Sequence, residues 1–234
     1  MNGCCNDANP PRLWVCCALP QEVRLLQGRL SNPHGVRFRV TGMGPDCARR
    51  TLAHWLERER PVAVLNCGFA GGLNPVHGAG TVLFATDDPH WERRLRAAGA
   101  LPGWFTTSGR VLQTATEKAA LWRATGADAV DMESEAIVAV CRAAAIPVAV
   151  VRAVSDPAGE DLPLDFSRFV RSDGSWAAGR LFLAIGLQPH RWARFLRLGR
   201  NARRAARQLA AVLDRALAGL PHDEGRGVSD PVRD

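Results

Sequence analysis

Three short runs are apolar from end to end: residues 14–18 (Trp-Val-Cys-Cys-Ala), 62–65 (Val-Ala-Val-Leu) and 148–151 (Val-Ala-Val-Val). A strand with one wet face alternates polar and apolar residues, whereas a strand without alternation must be covered on both faces. Between these runs lie segments of helical composition, at 46–57, 91–98, 114–125 and from 134 to Ala145, where Pro147 ends the pattern. Buried strands alternating with helices predict an α/β core with helices on both faces of the sheet.

Other segments fit that scheme. Val36 to Val40 alternates with Arg37 and Arg39, which predicts a strand with one wet face, and Thr41-Gly42-Met43-Gly44-Pro45 reads as a turn. Residues 62–65 run directly into Gly68-Phe69-Ala70-Gly71-Gly72, and 81–85 form a further strand. A chain of 234 residues is ordinarily one domain, assigned here to 12–220, with flexible ends at 1–11 and 221–234. Its 175–220 part is basic, amphipathic and helical. Seven arginines fall between 191 and 207 without an acidic residue, beside a stripe of Leu198, Ala202, Ala206, Leu209, Leu213 and Leu217. The stripe predicts a helix covering the sheet with a solvated basic face. Contact of that face with an anionic membrane surface, helped by Trp192 and Phe195, is the second reading.

Composition removes several classes. The hydrophobic fraction of 47% and a net charge of +7 are not those of a disordered chain. No apolar run approaches the roughly 18 residues of a bilayer span, and the N-terminal residues lack the basic and apolar parts of a signal peptide. Seven cysteines in two vicinal pairs and three singles match neither a disulfide scaffold nor a zinc spacing, which favours a reduced cytoplasmic setting. His34, His54, His77, His90, His190 and His222 form no metal-binding array, and Asp87-Asp88 reads as a loop cap. No nucleic-acid module accompanies the basic charge, so nucleic acid is not an expected partner.

Two carboxylates stand out. Glu133 lies at the start of a predicted helix, where the dipole favours an ionised group. Asp156 follows Ser155 at the end of the strand after Val148, a usual place for ligand-binding groups in α/β sheets. From spacing alone, each is equally readable as a structural charge or cap.

Ala18-Leu19-Pro20-Gln21-Glu22-Val23, Thr41-Gly42-Met43-Gly44, Gly68-Phe69-Ala70-Gly71-Gly72-Leu73, Asp131-Met132-Glu133 and Val151-Arg152-Ala153-Val154-Ser155-Asp156 occur in one order. In these segments the chain resembles the nucleoside phosphorylase and nucleosidase family. The resemblance implies a single-domain three-layer α/β/α fold with a central mixed sheet and cleavage of an N-ribosyl bond. It assigns Asp156, with Ser155, to the purine as proton donor, a task that needs a carboxyl raised by burial or binding. Glu133 and Met132 would meet the ribose, the first by hydrogen bonds and charge, the second by an apolar surface. Glu22 would activate water in a nucleosidase; in a phosphorylase, inorganic phosphate would attack as co-substrate, with no other cofactor and no metal.

The loops around Gly42, Gly44, Gly68, Phe69, Ala70 and Gly71 would present backbone N–H groups to phosphate or to water-bound ribose, with Arg152 or Arg39 reaching the phosphate. Phe69 stands where many relatives carry a small hydroxyl residue, and either widens an apolar face or packs beneath the loop. Cys67 reads as a buried thiol rather than a nucleophile. A narrower resemblance, in Glu117-Lys118, Thr125-Gly126-Ala127, Ser155-Asp156-Pro157 and Leu162-Pro163, is to the hopanoid-associated phosphorylases. It implies adenosylhopane as substrate, with adenine released; the broader family resemblance implies a homodimer, and the basic C-terminal surface fits peripheral contact at the inner membrane. The alternatives are a 5′-methylthioadenosine/S-adenosylhomocysteine nucleosidase, or a noncatalytic adenosyl-ligand-binding or scaffold protein.

Overall fold

The computed structural model describes residues 13–31, 35–164 and 192–219. The expected flexible ends, the 175–191 part of the basic segment, Cys4, Cys5, His34, His190 and His222 lie outside the described residues.

Along the chain the described elements are β1 (Leu13–Cys17), α1 (Pro20–Gln27), β2 (Val36–Val40), α2 (Pro45–Leu56), β3 (Val64–Gly72), β4 (Val82–Thr86) and α3 (Pro89–Ala97). They continue with β5 (Leu101–Pro102), β6 (Phe105–Thr107), α4 (Ala115–Thr125), β7 (Ala129–Asp131), α5 (Ser134–Ala143), β8 (Val148–Asp156) and α6 (Trp192–Leu217). The eight strands form one mixed sheet in the order β2-β1-β3-β8-β4-β5, with β7 on β3 and β6 on β7. β2, β1, β3 and β8 are mutually parallel; β4 runs antiparallel to β8, and β7 antiparallel to β3.

The alternation within β1 explains the layers. Leu13, Val15 and Cys17 point into one core with Leu65 and Cys67 of β3, Leu26 of α1, Leu95 of α3 and Leu209 and Leu213 of α6. Trp14 and Cys16 point the other way, to Ala48 and Leu52 of α2 and Ile137 and Cys141 of α5. A strand buried on both faces needs no polar side, which is why residues 14–18 are uniformly apolar.

The main elements fall where the pattern places them, with two differences. The short strands β5, β6 and β7 lie in a stretch that carried no strand signal, because two or three residues give no measurable period. The glycine-rich residues 68–72 are not a loop. They are the last part of β3, in register with Arg152 to Asp156 of β8 and with Val130 and Ala129 of β7. The apolar stripe of α6 is buried from Ala205 to Leu217, while the turns before it stay mostly exposed.

Candidate active site

Because β1, β2, β3 and β8 are parallel, their C-terminal ends emerge on one edge of the sheet, and the connections leaving them build a pocket there. It has a volume of about 170 Å³. β1 leads to Leu19 and Glu22, the β2–α2 turn brings Met43, and β3 supplies Phe69, Ala70 and Gly71. β7 and the start of α5 supply Met132 and Glu133, and β8 supplies Ser155 and Asp156. The five motif segments, scattered over 139 residues of sequence, thus reach one cavity.

Glu22 sits in the first turn of α1 and reaches back to accept a hydrogen bond from the Leu19 N–H at 3.0 Å. Burial pushes its carboxyl up to about 7; Arg152 and the Leu19 and Phe69 N–H groups pull the other way. This is a carboxylate able to take a proton near neutral pH. A side chain at Gly68 would put its Cβ 2.9 Å from Glu22 Oε1 and 3.2 Å from Arg152 Nη1, so glycine is what lets the strand pass beneath this pair.

Glu133 is buried and accepts the Gly44 N–H on Oε1 at 2.8 Å. Gly44 holds φ +83°, a conformation open to glycine and strained for other residues, and that turn aims its N–H across the pocket. Burial raises the Glu133 carboxyl, Arg152 lowers it, and Asp131 raises it further. Glu133 occupies the N-cap position of α5, where its side chain makes no capping bond.

Arg152 corrects another expectation. It does not line the pocket. Nε binds Asp131 Oδ2 at 2.7 Å, Nη1 donates to the Asn66 carbonyl and Nη2 to Ser134 Oγ. Burial by itself would weaken its charge; Asp131, Glu133 and Glu22 around it outweigh that and hold it firmly protonated. Arg152 is the positive floor beneath two acidic side chains, its donors committed to the protein. Arg39 pairs with Glu59 at 2.6 Å and stacks its guanidinium over Trp14 and Trp55, also outside the pocket lining.

Two of the N–H groups expected to meet phosphate or water-bound ribose are engaged within the protein. Residues 68–72 are strand residues, the Phe69 N–H goes to Glu22 and the Gly44 N–H to Glu133. Gly42, at φ +85°, makes the turn that Cys47 Sγ packs against. Phe69 lines the pocket while resting on the main core. Cys67 is fully buried and its thiol is pushed up to about 12, which makes it inert.

Asp156 is 8% exposed. Ser155 Oγ donates to its Oδ1 at 2.7 Å, and Lys118 Nζ lies 2.7 Å from its Oδ2. Lys118 thus faces the carboxyl that the resemblance assigns to the purine. Lys118, Asp131 and Arg110 are site residues to which the sequence pattern assigned no role. Lys118 carries one signal that could have found it, as the single lysine of a chain with 30 basic residues.

Comparison with known proteins bears on the fold. Residues 102–185 match the family model described as Phosphorylase superfamily. The 5′-methylthioadenosine/S-adenosylhomocysteine nucleosidase of Glaesserella parasuis is 27% identical over 210 residues, covering 68% of this chain and 91% of that protein. The nucleosidase of the same name from Anoxybacillus flavithermus is 28% identical over 166 residues, covering 56% and 72%. Among solved structures, the Neisseria meningitidis nucleosidase of that name, in complex with methylthio-immucillin-A, superposes with a TM-score of 0.66 at 19% identity. That match covers 89% of this chain and 99% of the other. The fold is nucleoside phosphorylase-like. Futalosine hydrolase of Helicobacter pylori shares it, with a TM-score of 0.66 at 14% identity.

Among the described residues, no group of three or more His, Cys, Asp or Glu is arranged to hold a metal ion, and no helix is long and apolar enough to cross a membrane. Asp88 caps α3 by accepting the Trp91 N–H, Asp87 pairs with Arg142, and His54 lies exposed on α2.

Proposed function

We propose that this chain is a nucleosidase that hydrolyses the N-glycosidic bond of a 5′-substituted adenosine, of the 5′-methylthioadenosine or S-adenosylhomocysteine kind, and releases adenine. That it is an N-ribosyl-cleaving enzyme is supported by the curated relatives and by the shared fold. Water as the attacking group is supported by one observation above the rest: the pocket carries, in Glu22, a carboxyl at about 7, where a general base for neutral pH should lie.

In this reading the adenine lies against Ser155 and Asp156, and the ribose against Met132 and Glu133. As the bond from C1′ to N9 lengthens, its electron pair moves into the purine and positive charge grows on the sugar. The Glu133 carboxylate, preplaced by the Gly44 N–H, stabilises that charge without reorganising. Glu22 takes a proton from water as its oxygen bonds to C1′. Phosphate finds little to hold it, because Arg152, Arg39 and the Gly44 N–H are engaged elsewhere. The hopanoid substrate draws no support from the relatives named above, whose names specify the smaller thioether nucleosides.

The test is adenine release by purified protein from 5′-methylthioadenosine, S-adenosylhomocysteine and adenosylhopane, with and without phosphate. We expect equal rates from the first two without phosphate and a free ribose product by mass. Release that requires phosphate would replace hydrolysis by phosphorolysis; turnover of adenosylhopane alone would restore the lipid. Glu133→Gln should lower kcat by about 100-fold, the scale of one lost charge-stabilising group.

A further inference from the structure

Lys118 lies in the first turns of α4 and has no exposed surface. Its Nζ contacts four oxygens: Asp156 Oδ2 at 2.7 Å, and the backbone carbonyls of Asp156 at 3.3 Å, Pro157 at 3.1 Å and Glu160 at 3.1 Å. A buried lysine is costly unless its charge is matched and its protons are accepted, and here both conditions are met by the end of β8 and the turn after it. The cage is braced: the Ala115 N–H donates to Asp161, the Leu162 N–H to the Gln113 carbonyl, and Asn201 of α6 to Glu160. Lys118 nevertheless lines the pocket beside Asp156.

The surrounding charges leave it the part of sole cation on Asp156 among the described residues. On β8 itself, Ser155 donates a hydroxyl to Asp156, and Arg152 is committed to Asp131. From β7 and the start of α5 come Asp131 and Glu133, and from α1 comes Glu22, all acidic. Arg110, which precedes α4, is paired with Glu117 at 2.6 Å. The two carboxyl oxygens of Asp156 thus face one amine and one hydroxyl.

We propose that Lys118 is the proton reservoir of the site, passing a proton through Asp156 to adenine as the glycosidic bond breaks. This rests on the nucleosidase reading. The bond between C1′ and N9 breaks with its electron pair going to the purine, whose ring nitrogens then gain basicity. A proton leaves Nζ for the Asp156 carboxylate as the carboxyl gives one to the purine at N7. Lys118 is left as the amine and Asp156 remains ionised. Water bonds to C1′ and its proton goes to Glu22. Afterwards Glu22 releases that proton to solvent, Lys118 regains one, and the sum is hydrolysis.

Two experiments test it. In the first, adenine release from 5′-methylthioadenosine is compared for wild type and Lys118→Gln, whose amide still donates to the carbonyl cage. Without the reservoir, Asp156 must take its proton from an acidic solvent. The variant should therefore fall by about 100-fold in kcat at pH 8.5 and by less than tenfold at pH 5.5, with KM within threefold. An equal loss at both pH values would make Lys118 structural and overturn the proposal.

The second experiment needs no variant. Protein grown with 15N-labelled lysine gives one side-chain ammonium signal, because the chain has one lysine. The pH at which that signal is lost should coincide with the alkaline fall of wild-type kcat/KM; two separate pH values would overturn the reservoir. Wild-type protein that releases no adenine overturns the nucleosidase reading and the reservoir with it, whereas release with mismatched pH values overturns the reservoir alone.

Discussion

Glu22 is held in a state that, in the proposed mechanism, serves chemistry at the expense of the fold. Its carboxyl, ordinarily near 4.5, sits at about 7 because burial penalises the charge. The folded chain binds that proton more tightly than the unfolded one. The associated stability is therefore fully present below pH 4.5 and is lost as pH rises through about 7. Glu22→Gln, which has no charge to bury, should melt higher than wild type at pH 8 and at nearly the same temperature at pH 4. The difference at pH 8 should be on the order of 1–3 kcal/mol, allowing for partial solvent access. The same variant should lose at least 100-fold in adenine release. Calorimetry at two pH values checks the first effect and a turnover assay the second; a variant that is neither stabilised nor inactive would deny Glu22 its role as base.

At the scale of elements, the end of β3 is the part on which the pocket depends. It lies between β8 and β7 and carries Glu22 and Arg152 against one side of Gly68. Gly68→Ala should keep the fold but displace that pair, costing about 1–3 kcal/mol in denaturant unfolding and more than tenfold in kcat. α4 plays the supporting part. Thr114 accepts the Glu117 N–H on its hydroxyl while Glu117 reaches back to the Thr114 N–H, a reciprocal cap that starts the helix carrying Lys118. Thr114→Ala should cost about 1 kcal/mol and be visible as a lower melting temperature.

These two elements also mark what the sequence could and could not disclose. Helical composition and strand runs act locally, so α4 and the buried strands were legible from their own residues. The Gly68–Gly72 segment was not: glycines read as a loop, and only the neighbouring β8 and β7 show why a strand needs them. Arg152 was misplaced as a phosphate contact for the same reason, since its partner Asp131 lies 21 residues away in sequence. Lys118 meets Asp156 across 38 residues, a separation that no local period encodes. Glu22, Glu133 and Asp156, singled out by residue type within segments that resemble the family, line one pocket.

Over the whole molecule, charge is unevenly distributed. The pocket gathers Glu22, Asp131, Glu133 and Asp156, while the chain carries a net +7. Part of that excess stands on the first turns of α6, where Arg194, Arg197, Arg200 and Arg203 are exposed beside Trp192 at 52% and Leu196 at 65% exposure. From Ala205 onward the helix is anchored in the core. Such a surface should adsorb to vesicles containing anionic lipid and not to neutral ones, with binding falling as salt rises. Sedimentation with the two vesicle types decides it, and equal negligible binding would leave these arginines a solvation role. Adsorption would bring the protein near a lipid phase without changing which nucleoside it cleaves.

The chain's one lysine side chain lies sealed at the bottom of the pocket, so its outer surface presents guanidinium groups alone as permanent side-chain cations. Reagents and proteases that require a lysine amine have no side-chain target on that surface. Any such reagent that does modify the folded protein at a side chain must have entered where adenine is proposed to bind, and protection by added adenine would turn a labelling reaction into a measure of occupancy.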